Sequence, residues 1–196
     1  MDRSETPTES PKRFRRLPLL VGALWLGLFV ALFASGVSRD VSVDELVERV
    51  HDAGPWGALA YLGAFSVLQP LGITSHVFAI GAALVWPPGL AIVLALIGAN
   101  GAAATSFLLA RFVLFDWVRA RLSPRVLALE GRFIARGLRG LVMLRLLSFT
   151  TQPVNWLLGT TAVPFRASVV SGLIGFIPVI TFDVVFGGEF FRWLFG

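Results

Sequence analysis

LRGLVMLRLLSFTTQPVNWLLGTTAVPF, residues Leu138–Phe165, decides how the chain is read. An apolar run carries Arg145, breaks at Ser148-Phe149-Thr150-Thr151-Gln152-Pro153, and turns largely apolar again up to Val163. In hydrocarbon an unpaired backbone amide or carbonyl costs several kcal/mol, so a break at membrane depth survives only inside protein or beside water. An arginine at that depth is costly and is a functional candidate by default. A simple anchor needs neither feature. A broken, charged hairpin is what a transporter uses to build a site near mid-bilayer.

Composition places the whole chain in a membrane. Hydrophobic residues make up 56% and charged residues 15% of the 196 residues, where a soluble domain carries roughly 25% charge. Mean hydropathy is +0.77. Leu17 to Val37 is an uncharged apolar run of 21 residues, enough to cross about 30 Å of hydrocarbon. It is longer than a signal-peptide core and lacks a convincing cleavage site, so a retained first transmembrane helix over 17–37 is expected. The chain has no Cys and only two histidines, His51 and His76. Disulfides, thiol chemistry and Cys metal sites are excluded, and no metal or cofactor is expected. No phosphate-loop, dinucleotide, zincin or nucleophile-elbow motif occurs, and no enzyme is expected. The net charge of +5 sits at the ends of apolar segments, where the positive-inside rule puts it, and nucleic acid is not an expected partner.

Residues 1–16 are polar and proline-containing, which predicts a disordered cytosolic tail. Residues 38–54 form an amphipathic external segment: Val41, Val43, Leu46, Val47 and Val50 share roughly one helical face, and Ser42 with Glu45 makes a capping box. Pro55 to Leu68 is apolar but only about 21 Å long as a helix. It ends at Gln69-Pro70-Leu71-Gly72, and a second short apolar piece, Val77 to Trp86, stops at Pro87-Pro88. Leu90 to Leu114 is long enough to cross. Arg111 to Arg139 holds Arg111, Arg119, Arg121, Arg125, Arg132, Arg136 and Arg139 against Asp116 and Glu130. Ala167 to Phe191 is the last crossing, with residues 189–196 as the C-terminal end. The basic tail and the basic 111–139 stretch are expected in the cytosol, and the acidic 38–52 segment outside. Pro55 to Trp86 then dips in from outside and returns, and Gly137 to Val163 does the same from the cytosol.

The expected fold is therefore an all-α, multi-span integral membrane protein with two opposed re-entrant helical hairpins in an inverted repeat. Straight spans with proline kinks are the alternative. A sequence echo favours the repeat: Gly81 precedes Leu96-Ile97-Gly98 much as Gly159 precedes Leu173-Ile174-Gly175, with Pro70 and Pro153 ahead of each. The structural breaks are placed at Pro70, Pro153, Gly159, Gly175 and Pro178. Gly81, Gly98, Gly101, Gly159, Gly172 and Gly175 read as close-packing positions, and the Phe and Trp residues mostly as lipid-facing or interfacial.

Arg145, Pro153, Asn155-Trp156, Gly159-Thr160-Thr161, Phe165, Gly175, Pro178 and Gly187-Gly188 resemble the signature half of the DedA and SNARE-associated Golgi protein superfamily, the VTT domain. Phe78 to Trp86 with Gly89, and Ile97-Gly98-Ala99 to Ala110-Arg111, are similar to its first half. The resemblance covers about 55–188. It implies two opposed re-entrant hairpins and transbilayer movement of a phospholipid or polyprenyl-phosphate head group in the cell (inner) membrane, multi-pass, with a cytosolic N-terminus. Membrane lipids are the implied partners, and a homo-oligomer stays open. The family's hairpin acid is absent from Gln69–His76, Trp156 stands where the family has Tyr, and Phe149 or Thr150 stands for the first Pro of the second-hairpin motif. A secondary transporter of a small solute, or a non-transporting membrane assembly factor, is the alternative function.

Each candidate site residue carries more than one reading. Arg145 holds a lipid phosphate as a bidentate donor, or snorkels to the headgroups. Thr150, Thr151, Gln152 and Asn155 bind the same group, or satisfy the broken backbone. His76 replaces the missing acid in proton handling, or is a hydrogen-bonded structural histidine. Asp183 is a proton carrier, an ionic partner of Arg145, or an interfacial residue. Arg139 reads as an interfacial anchor.

Overall fold

The computed structural model describes residues 43–120, 131–148 and 152–195. The tail, the span over 17–37, Ser42, and the break at Phe149, Thr150 and Thr151 lie outside the described residues. The described part is helical, with no strand among the described residues.

The acidic amphipathic stretch is helix α1, Val43–Asp52. Gly54, at φ +53°, turns the chain into α2, Pro55–Leu68, which opens on a proline. A proline at the first helical position loses no hydrogen bond, because that N–H has no partner in the helix. A single tight turn, Gln69–Leu71, follows and is closed by Gly72 at φ +107°, a left-handed conformation that glycine adopts without a Cβ penalty. Helix α3 covers Ser75–Val85, and α4 covers Pro88–Phe112. The short α5, Phe115–Arg119, precedes α6, Gly137–Ser148, and α7, Gln152–Gly159. A final helical stretch is divided into α8, Phe165–Gly175, α9, Ile177–Phe182, a π-helical turn at Asp183–Gly187, and α10, Gly188–Phe195. Pro178 contributes no amide to that ladder, which marks the joint between α8 and α9. Pro88–Phe112 and Phe165–Phe190 are each long and apolar enough to cross a membrane.

Helix α4 is the hub. It packs on α2, α3, α7 and α8, and its own sequence makes this possible. Ala91, Ala95, Ala99 and Ala103 recur every four residues, and Gly98, Ala102, Ser106 and Ala110 do so beside them; all are buried. Where lipid removes the hydrophobic drive between helices, small residues let backbones approach and dispersion holds them. Phe65 fills the notch at Gly98, and Ser66 sits against Gly101. Phe107 lies 5.6 Å from Phe165, while Asn100 meets Gly172, so α4 and α8 run antiparallel. His76 meets Asp183 and Ile80 meets Gly187, so α3 runs alongside the end of the last helix in the same direction.

One expectation holds with exceptions and another needs correction. Phe65, Phe107 and Phe176 are fully buried and Trp86 nearly so, because the small-residue faces of α4 and α8 leave ring-sized slots. Trp56, Phe112, Phe182, Phe186, Phe190 and Trp193 do face outward. Gly81 is no close-packing position: a Cβ there would meet nothing within 4 Å, whereas at Gly159 it would fall on the Phe107 carbonyl oxygen and 2.7 Å from the Ala110 Cβ.

Gly159→Ala should therefore lower stability by roughly 1–3 kcal/mol, the usual cost of overpacking a tight contact. Gly63→Ala, inside α2 where a Cβ meets nothing within 4 Å, should instead raise stability by about 0.5–1 kcal/mol. Thermal unfolding of the two variants in detergent measures both.

Candidate functional site

Arg145 lies near the end of α6 and is 1% exposed, the largest fully buried side chain in the described residues. Its partners come from the face of α8 that presents Ser168, Ser171, Gly172 and Gly175, the i, i+3, i+4, i+7 set of one helical stripe. Nε donates to Ser171 Oγ at 3.0 Å. One terminal nitrogen donates to Ser168 Oγ at 2.9 Å and to the Ser168 carbonyl at 3.1 Å. The other donates to Asn155 Oδ1 on α7 at 2.8 Å. The guanidinium carbon stands 4.8 Å above the Phe176 ring, a cation–π contact. Gly175 is what lets α6 come this close, since a Cβ there would sit 2.8 Å from the Arg145 Cβ.

These acceptors are hydroxyls, an amide and a backbone carbonyl, all neutral. Charge-assisted hydrogen bonds contribute roughly 1.5–3 kcal/mol each, so four of them offset a burial cost of several kcal/mol for the ion. Arg145 is thus held inside the protein and does not snorkel to the surface; the exposed arginine of α6 is Arg139. A guanidinium seated on exchangeable neutral acceptors can trade them for phosphate oxygens, which match its fork geometry.

Asn100, midway along α4, lies beside this cluster. Its Nδ2 donates to the Leu96 carbonyl at 2.9 Å. Its Oδ1 is buried, makes no conventional hydrogen bond, and rests on Gly172, where a Cα–H is the donor available to it. Phe176 borders the same position.

A second polar pair joins α3 to the last helix. His76 Nδ1 is 2.7 Å from Asp183 Oδ2. Asp183 is buried and opens the π-helical turn, while the His76 side chain is about half exposed at 47%. π-turns inside α-helices are frequent at functional sites. Asp183 makes this hydrogen bond on the α3 side of the last helix.

Of the expected binding residues, Arg145 and Asn155 are brought together. Gln152 opens α7, with Pro153 beside it, and Thr150 and Thr151 lie outside the described residues. Sequence analysis missed Ser168, Ser171 and Asn100. The signal for the serines was present: Ser168 to Gly172 and Ser171 to Gly175 are two interlocked small-x-x-x-small spacings.

The VTT domain family matches the chain over residues 73–189. This is more than half of its length, and the chain belongs to that family, the domain of the DedA and SNARE-associated Golgi membrane proteins. The match takes in α3 to the π-helical turn and both polar clusters. No curated protein and no solved structure matches the chain.

Because Arg145 and Asn155 share a buried bond, their removal should not be additive. Asn155→Ala should cost roughly 1.5–3 kcal/mol. In a double-mutant cycle with Arg145→Ala the coupling should reach at least about 0.5 kcal/mol; additive losses of thermal stability would mean that the bond contributes nothing.

Proposed function

We propose that this protein moves a phosphate-bearing lipid head group, of a phospholipid or a polyprenyl phosphate, across the cell (inner) membrane without a covalent step. In this reading two opposed re-entrant hairpins, Pro55–Trp86 from outside and Gly137–Val163 from the cytosol, enclose the Arg145 site. The N-terminus is cytosolic, and Arg145 with Asn155 holds the phosphate. The observation that carries the reading is Arg145 itself: a guanidinium 1% exposed, set on neutral acceptors from α7 and α8.

The packing pattern supports the inverted arrangement. The first arm of each hairpin packs on the long helix of its own half, α2 on α4 and α6 on α8. The second arm reaches the long helix of the other half, α7 on α4 and α3 on the π-helical turn, although α3 also packs on α4. Such a reciprocal exchange is what a two-fold relation between halves produces. The His76–Asp183 pair takes the proton-handling role that a hairpin acid would otherwise fill. The same pair favours a second function, an ion-coupled carrier of a small solute, since passive lipid movement has no need of a titratable pair.

Proteoliposomes carrying a labelled polyprenyl phosphate and a labelled phospholipid separate the two. Wild type should move at least one lipid, Arg145→Ala should lose about tenfold or more of the rate, and Arg145→Lys should retain part of it because it keeps the charge without the fork. Movement of neither lipid, with or without a proton gradient, would leave the small-solute carrier or a non-transporting assembly factor. His76→Gln and Asp183→Asn should abolish any response to the gradient while leaving lipid movement at equal pH. Since the chain lacks Cys, Pro88→Cys and Arg166→Cys report topology directly. They should label from opposite sides, and labelling from one side would sink the inverted arrangement.

A further inference from the structure

We propose that Arg111 and Arg119 form a positioning clamp that seats the end of α7 on α4 and thereby sets where Asn155 meets Arg145. Arg111 lies in the last turn of α4. Its Nε donates to the Gly159 carbonyl at 3.2 Å. One of its terminal nitrogens donates to the carbonyls of Thr161 at 2.6 Å and Val163 at 2.8 Å. Arg119, from α5, donates to the Thr160 carbonyl at 2.9 Å. Two side chains thus capture four of the five carbonyl oxygens between Gly159 and Val163.

This is more than an interfacial anchor does. A helix ends with up to four carbonyls that have no partner in the helix, and the negative end of its dipole favours a cation. In α7 the Leu157 and Leu158 carbonyls are met by Thr160 and Thr161 of its own chain, while the Gly159 carbonyl and three carbonyls of the turn that follows are met by side chains of α4 and α5. The same turn of α4 supplies the rest of the seat. The Arg111 guanidinium carbon lies 4.4 Å above the Phe107 ring, and the Phe107 carbonyl is the group that Gly159 packs against. Gly159 and Asn155 are four residues apart and so share a face of α7. A slip of α7 by one turn would move Asn155 about 5.4 Å from a guanidinium that it now meets at 2.8 Å. With only eight residues and a proline at its second position, α7 has little internal bonding to hold its register. The clamp holds it.

The consequence for transport rests on the function proposed above. The seating does not, and it is tested without any substrate. Two double-cysteine forms of the full chain are prepared in lipid nanodiscs. Trp117→Cys with Trp156→Cys reports α7 against α5, where the rings are 5.9 Å apart. Tyr61→Cys with Trp86→Cys reports the distant α2–α3 packing, where they are 5.2 Å apart. A short bifunctional thiol reagent should link both pairs in the parent forms. Arg111→Gln should slow the Trp117/Trp156 link about tenfold, the factor matching the loss of one charged hydrogen bond, and leave the reference pair unchanged. The single variant Asn155→Cys should gain thiol reactivity in the same background. Arg111→Lys, which keeps the charge and loses the fork, should fall between. If Arg111→Gln fails to fold, Arg111→Lys and Arg119→Gln carry the same comparison. Equal slowing of both pairs would reduce Arg111 to general stability, and no slowing of either would remove the clamp; either result overturns the proposal.

Discussion

A buried guanidinium is the constraint around which the second half of this molecule is arranged. An arginine at this depth requires acceptors on several sides at once, and they must be neutral enough to be placed in a hydrophobic helix. Ser168, Ser171 and Asn155 supply them, the Phe176 face adds a fourth wall, and Gly175 removes the one side chain that would hold α6 away. Ser168, Ser171 and Asn155 take their role from Arg145, while Phe176 also belongs to the apolar core around α4. Two serines on the inner face of an apolar helix and a glycine at its end would otherwise weaken it.

The first half is built on another principle. Its core holds Phe65, Phe78, Trp86 and the alanines of α4, with Phe65 and Phe78 stacked at 4.4 Å. Polar groups are few, and each serine or threonine of α4 turns its hydroxyl back onto its own helix, as Thr105 does to Gly101 and Ser106 to Ala102. That is how a helix in hydrocarbon bonds a hydroxyl to its own backbone. Helix α2 belongs to this half by packing, although the family match begins only at Ile73.

The helical segments were legible in the sequence because prolines and glycines bound them: Pro55, Pro88, Gly72 and Gly159 stand at or beside the ends of their elements. Arg145 was legible because a charge inside an apolar run has no cheap explanation. The partners were not. Ser168 and Ser171 are unremarkable in an apolar sequence, and only the crossing of α6 over α8 gives them meaning. Arg111 and Arg119 looked like members of a basic stretch whose role was set by charge alone, since sequence carries no sign that a carbonyl-rich helix end lies across from them. Gly81 shows the converse, a glycine whose place in a repeat suggested a contact that the packing does not make. His76 and Asp183 lie 107 positions apart, and no local pattern joins them.

The order in which the chain is synthesised gives the Arg145 cluster a temporal side. The acceptors named here all follow it, Asn155 by 10 positions, Ser168 by 23 and Ser171 by 26. At about 5–20 residues per second, α6 is complete roughly one to five seconds before its last serine exists. The acceptors named here are complete only once α7 and α8 have been made, so the cluster can close only after all three helices exist. A delayed commitment is written here into the spacing between one arginine and the residues that receive it.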